Sequence, residues 1–198
     1  MSEIFKGDII EWLPSLAYEM ECKTPEPVLA NYESLVERIL YIRSDIVFVI
    51  ELTVKLNVEK KVLPYERTKM EILRALDGGF AIRRTVDPYS NYANPDKKYI
   101  EKYKDVRDKT WDVIRKIVNK EPDIYIPKLR GPLIKEAVDE HKVYKRVVYK
   151  YLSRWWVGGM SINTLLPSFD KCGGPGNDRI IPISPTAELD PLGNKKKM

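Results

Sequence analysis

Residues 128–159, KLRGPLIKEAVDEHKVYKRVVYKYLSRWWVGG, decide how this chain is read. Pro132 stands where a first helical position tolerates a missing N–H. From there Leu133, Ile134, Ala137 and Val138 recur at three- and four-residue spacing, which predicts one apolar helix face. The pattern breaks at Glu140-His141-Lys142, and Val143 is apolar where a turn between two helices plugs into a core. A second helix is predicted with Val148, Leu152 and Trp155 or Trp156 on its apolar side. Gly158-Gly159 stops it, because glycine accepts the left-handed conformation of a C-terminal cap. That phase leaves Lys145, Arg146, Tyr149, Lys150 and Ser153 outward. No acidic residue occurs between Lys142 and Arg154. A helix with an apolar back and a basic, hydrogen-bonding front fits a DNA major groove. Against this stands the plainer reading of two amphipathic helices in a bundle, whose basic face is only a solvated one.

The sequence downstream weighs for the first reading. The run YKYLSRWWVGGMSINTLLPSFDKCGGPG carries an aromatic helix end at Trp155 and Trp156, then Gly158, Gly159, Asn163, Leu165, Leu166, Pro167, Phe169 and a glycine-proline linker at Gly173 to Gly176. Together with EAVDEHKVYKRVVYKYL just upstream, it resembles the first helix-turn-helix and following linker of the TnsB family of heteromeric, DDE-type transposases. The resemblance covers about fifty residues in its specific part and implies DNA binding at transposon ends. Lys145, Arg146 and Tyr149 are then the expected base-reading residues, with Tyr144, Lys150 and Ser153 beside them. Arg130, Lys142 and Arg154 lie toward the margins, where phosphate is the nearer target. Tyr144 departs from the serine or threonine that usually caps a helix start.

Composition agrees with an anionic partner. The chain has 198 residues, 43% of them hydrophobic, and a formal net charge of +5. That is enough apolar content for a real core and a mild basic excess. The two cysteines, Cys22 and Cys172, lie far apart, and His141 is the single histidine. No zinc site and no disulfide is expected from these. No apolar run reaches the roughly eighteen residues of a membrane span. The N-terminus lacks the order of a signal peptide, so a soluble cytoplasmic protein is expected.

The earlier part of the chain reads as a small α+β unit. Strands are predicted at 7–12, 36–42, 46–53 and 80–84, the second and third joined as a hairpin through Arg43-Ser44-Asp45. Residues 13–34 are rich in proline and acids, with a short helix expected at 28–34. Pro64 is expected to start a helix over 61–79, ended by Gly78-Gly79, with Met70, Leu73 and Leu76 on one side. Residues 87–96 read as a linker by composition. A long helix follows, capped by Asn94 or Asp96, with Tyr99, Tyr103, Val106, Thr110, Val113 and Ile117 on one side. The expected division is an α+β domain at 1–90, a three-helix DNA-binding domain at 95–160, and an extended tail at 161–198, which is either a solvated linker or a basic arm following a duplex with Lys171 and Arg179.

No catalytic residue is expected. The family's ribonuclease-H-like domain, whose carboxylates bind Mg2+ for strand transfer, would lie beyond the linker. Asp123, Asp139 and Asp170 fall at a boundary, on a helix surface and in a linker, and do not make a carboxylate trio. No cofactor and no metal is expected in this chain. Its expected partners are double-stranded DNA at transposon-end repeats and other transposition proteins, with no membrane. A free-standing helix-turn-helix transcriptional regulator and a protein-interaction module are the competing readings.

Overall fold

The β-branched runs of the first third build one sheet. In the computed structural model, which describes residues 2–13, 34–52 and 62–167, the strands are β1 (Ile9–Trp12), β2 (Leu35–Arg43), β3 (Ile46–Glu51), β4 (Tyr65–Thr68) and β5 (Ala81–Arg84). They form a five-stranded sheet in the order β4-β3-β2-β1-β5, antiparallel at every pairing. The β2–β3 hairpin turns at Ser44, which takes a left-handed φ of 51°. A bulge between Ile39 and Tyr41 interrupts the register against β3. The expected helix at 28–34, both cysteines, and the tail beyond Pro167 with Lys171 and Arg179 lie outside the described residues.

Alternation along the strands sends side chains to two faces. Ile10, Ile39, Val47 and Val49 face helix α1 (Lys69–Asp77), meeting its Ile72 and Ala75. Ile9, Val36, Leu40, Phe48 and Ile50 face the helices of the later chain. The middle strand carries adjacent charges, Glu37 and Arg38, which go to opposite faces and are both buried. Glu37 is satisfied on the α1 side by Trp12 Nε1 and Arg67 Nε, each at 2.7 Å, and by the Tyr65 hydroxyl.

One expectation fails here. Residues 65–68 are an edge strand, not the first turn of a helix begun by Pro64. The helix begins only at Lys69, because Thr68 ends the strand and caps α1, its hydroxyl accepting the Glu71 N–H at 3.1 Å. Threonine followed three residues on by glutamate is a capping signature. Ile72 and Ala75 are buried and Leu73 and Leu76 pack beside them, whereas Met70, expected inward, is exposed.

The helical part follows. Residues 87–96 include a short helix, α2 (Ser90–Ala93). Asp96 then caps α3 (Lys97–Val118), its side chain accepting the Lys98 N–H at 2.7 Å. Helix α3 buries Thr110, Val113, Ile114, Ile117 and Val118, whereas Val106, expected inward, is exposed. Its first half instead packs on the turn that follows the last helix. Helix α4 (Pro127–His141) starts at Pro127, earlier than Pro132 suggested, so Pro132 lies inside it. Helix α5 (Lys145–Val157) follows after the three-residue turn 142–144. A single apolar cluster takes in β2, β3 and α3 to α5. Tyr125 links the layers, with ring centroids 5.4 Å from Phe48 and 6.3 Å from Trp156. The architecture is α+β, with the sheet sharing one apolar cluster with α1 and another with α3 to α5.

Candidate nucleic-acid interface

The apolar back of α5 is fixed by burial. Val148, Leu152 and Trp156 are buried on that side, and Ile134 and Ala137 of α4 belong to the same cluster. Trp155 packs on Trp111 of α3 with centroids 4.8 Å apart. This rotation of α5 puts Lys145, Arg146 and Lys150 outward and leaves Tyr149 half-buried.

The turn adds two exposed residues. Lys142 closes α4 with φ 53° and ψ 37°, the left-handed region, and is solvent-exposed. Tyr144 stands at the N-cap of α5 with 81% of its surface exposed. Its side chain makes no cap bond, while its carbonyl accepts the N–H groups of Val147 and Val148. Val143 packs between them against the core. The structure thus brings Lys142, Tyr144, Lys145 and Arg146 together at the start of α5, with Lys150 a turn further along. Acidic neighbours stand back on α4: Glu140 pairs with Lys116 of α3 at 2.5 Å, which holds its carboxyl below the usual range.

Three expected surface contacts are placed elsewhere. Arg130 is buried, with Nη1 lying 3.4 Å from the carbonyl of Tyr125 and 3.5 Å from that of Ile124. Burial pulls its guanidinium below the ordinary arginine value, and Tyr149 beside it pulls the other way. Ser153 donates its hydroxyl to the carbonyl of Val62 at 2.8 Å. Arg154 donates to the carbonyl of Leu166, and burial lowers its pKa as well. Each of these polar groups is spent on an internal carbonyl, so Arg130, Ser153 and Arg154 leave the outward set. Ser153 is met by a segment far along the chain, and Arg130 and Arg154 by carbonyls just before and just after their own helices, where helix periodicity gives no signal.

The Asn-x-Leu-Leu-Pro run has a structural task. Residues Ile162–Leu165 form a single 3-10 turn, with Leu165 and Leu166 buried. Asn163 Nδ2 donates to the Ala93 carbonyl, and its Oδ1 accepts from Arg107 Nη1, both at 3.0 Å. The Tyr99 hydroxyl donates to the Pro167 carbonyl. The turn therefore joins α2, α3 and α5. Gly158 is required for space there, since a Cβ would strike the Thr164 side chain.

Among the described residues, no group of three or more histidine, cysteine, aspartate or glutamate side chains could hold a metal ion. None of their helices is long and apolar enough to cross a membrane.

Comparison with known proteins gives two findings. Residues 107–169 match the family model described as the TnsB second domain. That span runs from the middle of α3 through the 3-10 turn. Over 119 residues the chain is 34% identical to the transposon Tn7 transposition protein TnsB of Escherichia coli. The aligned part is 60% of this chain and 17% of that relative, so the chain spans only a small fraction of the relative's length.

Proposed function

We propose that this chain, which carries a TnsB-family N-terminal region, binds double-stranded DNA at transposon ends through a helix-turn-helix made of α4, the turn 142–144 and α5. In this reading α5 enters the major groove with its first turns. Arg146 and Lys145 meet base edges, arginine being able to bond two guanine acceptors at once. Lys142 and Lys150 meet phosphates, which add affinity and carry no sequence information. Tyr144 offers a large apolar ring with a polar tip to the groove wall, and Tyr149 flanks the reading residues. The observation that carries the proposal is the exposed, acid-free start of α5 above a fully buried apolar back. Strand transfer would belong to a part of a longer relative that this chain does not align with, and contacts with other transposition proteins are a further expectation.

A gel-shift comparison of element-end duplex, promoter duplex and random duplex tests this. End-binding predicts retention of the element-end duplex at salt concentrations that release the other two. Preference for promoter DNA would favour a transcriptional regulator. Equal binding to all three would leave only a basic surface, and no binding to any would favour a protein-interaction module.

A further inference from the structure

The C-terminal end of α5 leaves one carbonyl over. The last four carbonyls of a helix lack helical partners. Here Gly158 N–H donates to Arg154 at 3.0 Å, Met160 N–H to Trp155 at 2.8 Å, and Gly159 N–H to Trp156 at 3.3 Å. The last two bonds, with Gly159 left-handed at φ +83°, make a Schellman motif. The Val157 carbonyl remains, and it is taken by Arg38 of β2, whose Nη2 donates to it at 3.0 Å. The same Nη2 donates to Asp87 Oδ1 at 2.8 Å. Gly159 passes close over the guanidinium: a Cβ there would lie 3.2 Å from Arg38 Nη1.

Stability is a poor explanation for this arrangement. Arg38 is buried, and its Nε has no hydrogen-bond partner. A buried cation so imperfectly satisfied is costly, and apolar replacements of such pairs are often neutral or stabilising. What the cation supplies is geometry. It fastens the negative end of the α5 dipole to the central part of the sheet. Ser153 supplies a second tie one turn earlier, through Val62. Arg146, Lys150, Ser153 and Val157 lie at successive spacings of four, three and four, which is one stripe along a helix. The far half of that stripe is held by protein, and the near half is open and basic. Any turning of α5 about its axis therefore shifts Arg146 and Lys150 sideways.

We propose that Arg38, backed by Asp87, is a positioning residue for DNA reading: its bond to the Val157 carbonyl fixes the axial rotation at which α5 presents Arg146 and Lys150 to the groove. The inference rests on the end-binding reading above, and it gives the sheet the task of mounting the reading helix.

The test uses the whole chain with Asp87→Asn, Arg38→Lys and Arg38→Met. Circular dichroism and thermal unfolding establish which variants are folded, and titrations follow on transposon-end and random duplexes at two salt concentrations. Asp87→Asn and Arg38→Met are expected to lower the ratio of end to random affinity about tenfold, the size of one misaligned base contact. Random-duplex affinity and the salt slope should stay unchanged, because the phosphate-binding lysines remain. Arg38→Lys, which keeps a cation near Val157, should restore part of the ratio. A purely structural role predicts that both affinities fall together with the folded fraction, and that result would overturn the inference. If Arg38→Met does not fold, Asp87→Asn decides the matter, and an unchanged ratio in that variant also overturns it. Wild-type protein that binds both duplexes alike removes the end-reading and this inference together. Wild-type discrimination kept intact in the folded variants removes only the inference.

Discussion

The two halves of α5 share one amphipathic pattern and have opposite surroundings. In the first half Lys145, Arg146 and Lys150 face solvent over buried Val148. In the second half the polar positions are enclosed: Ser153 bonds Val62, Arg154 bonds Leu166, and the Val157 carbonyl bonds Arg38. Neither half carries an acid, and both carry cations, Lys145, Arg146 and Lys150 in the first and Arg154 in the second. What separates them is chain from elsewhere, the segment before β4 and the turn after α5, laid over the second half. A basic, hydrogen-bonding residue on a helix front is thus a contact in one place and a brace in another.

The largest expected effect lies in the enclosed half. Leu152 is fully buried, and Leu152→Ala is expected to cost about 2–5 kcal/mol, as large-to-small core changes do. Urea unfolding of the variant measures it, and an unchanged midpoint would mean that the back of α5 is wrongly assigned. The next two variants form a mirrored pair. Arg154→Ala leaves the Leu166 carbonyl without its donor and should cost about 1–3 kcal/mol of stability, with no change in the salt slope of DNA binding. A slope flatter by about one unit would instead mark Arg154 as a phosphate contact and return it to the surface set. Arg146→Ala should do the reverse. Stability should move by less than about 0.5 kcal/mol, as for exposed positions, while discrimination between end and random duplex falls by about 1–3 kcal/mol. Equal losses on both duplexes would turn the first half of α5 into a phosphate clamp.

Much of this was legible before the structure, for identifiable reasons. The backs of α4 and α5 follow from the spacing of Ile134, Ala137, Val148 and Leu152, because burial on one face imposes the helical period on the sequence. The hairpin of β2 and β3 follows from its β-branched run. The strand β4 was not legible. Four residues, Tyr65 to Thr68, are too few to show alternation, and the pairing with β3 that makes them a strand is a long-range event. Arg130 misled because its position on α4 gives no warning that the carbonyls of Ile124 and Tyr125 stand over it. Arg38 was within reach. Two adjacent charges, Glu37 and Arg38, in the middle of an apolar strand must point to opposite faces, and each must then find a partner inside. The sequence marks that both are paired and leaves open with what.

The smallest effect concerns the turn that separates α4 from α5. Lys142 adopts φ 53° without being glycine, a conformation that costs a side-chain-bearing residue about 1 kcal/mol relative to glycine. Its exposure leaves little packing to lose. Lys142→Gly should therefore raise stability, by at most about 1 kcal/mol, because the gain in the folded state is partly offset by the extra freedom of an unfolded glycine. The same substitution removes a cation from the start of the proposed reading surface. End and random affinity should then fall by the same factor, and the salt slope should flatten by about one unit, as for one lost phosphate contact. The two readouts separate two possible tasks of this residue. A rise in melting temperature with unchanged binding would make Lys142 a strained turn residue and nothing more. A fall in melting temperature would mean that its aliphatic stem packs on Val143 or α5, and the boundary between the open and enclosed parts of this helix pair would move back into the turn.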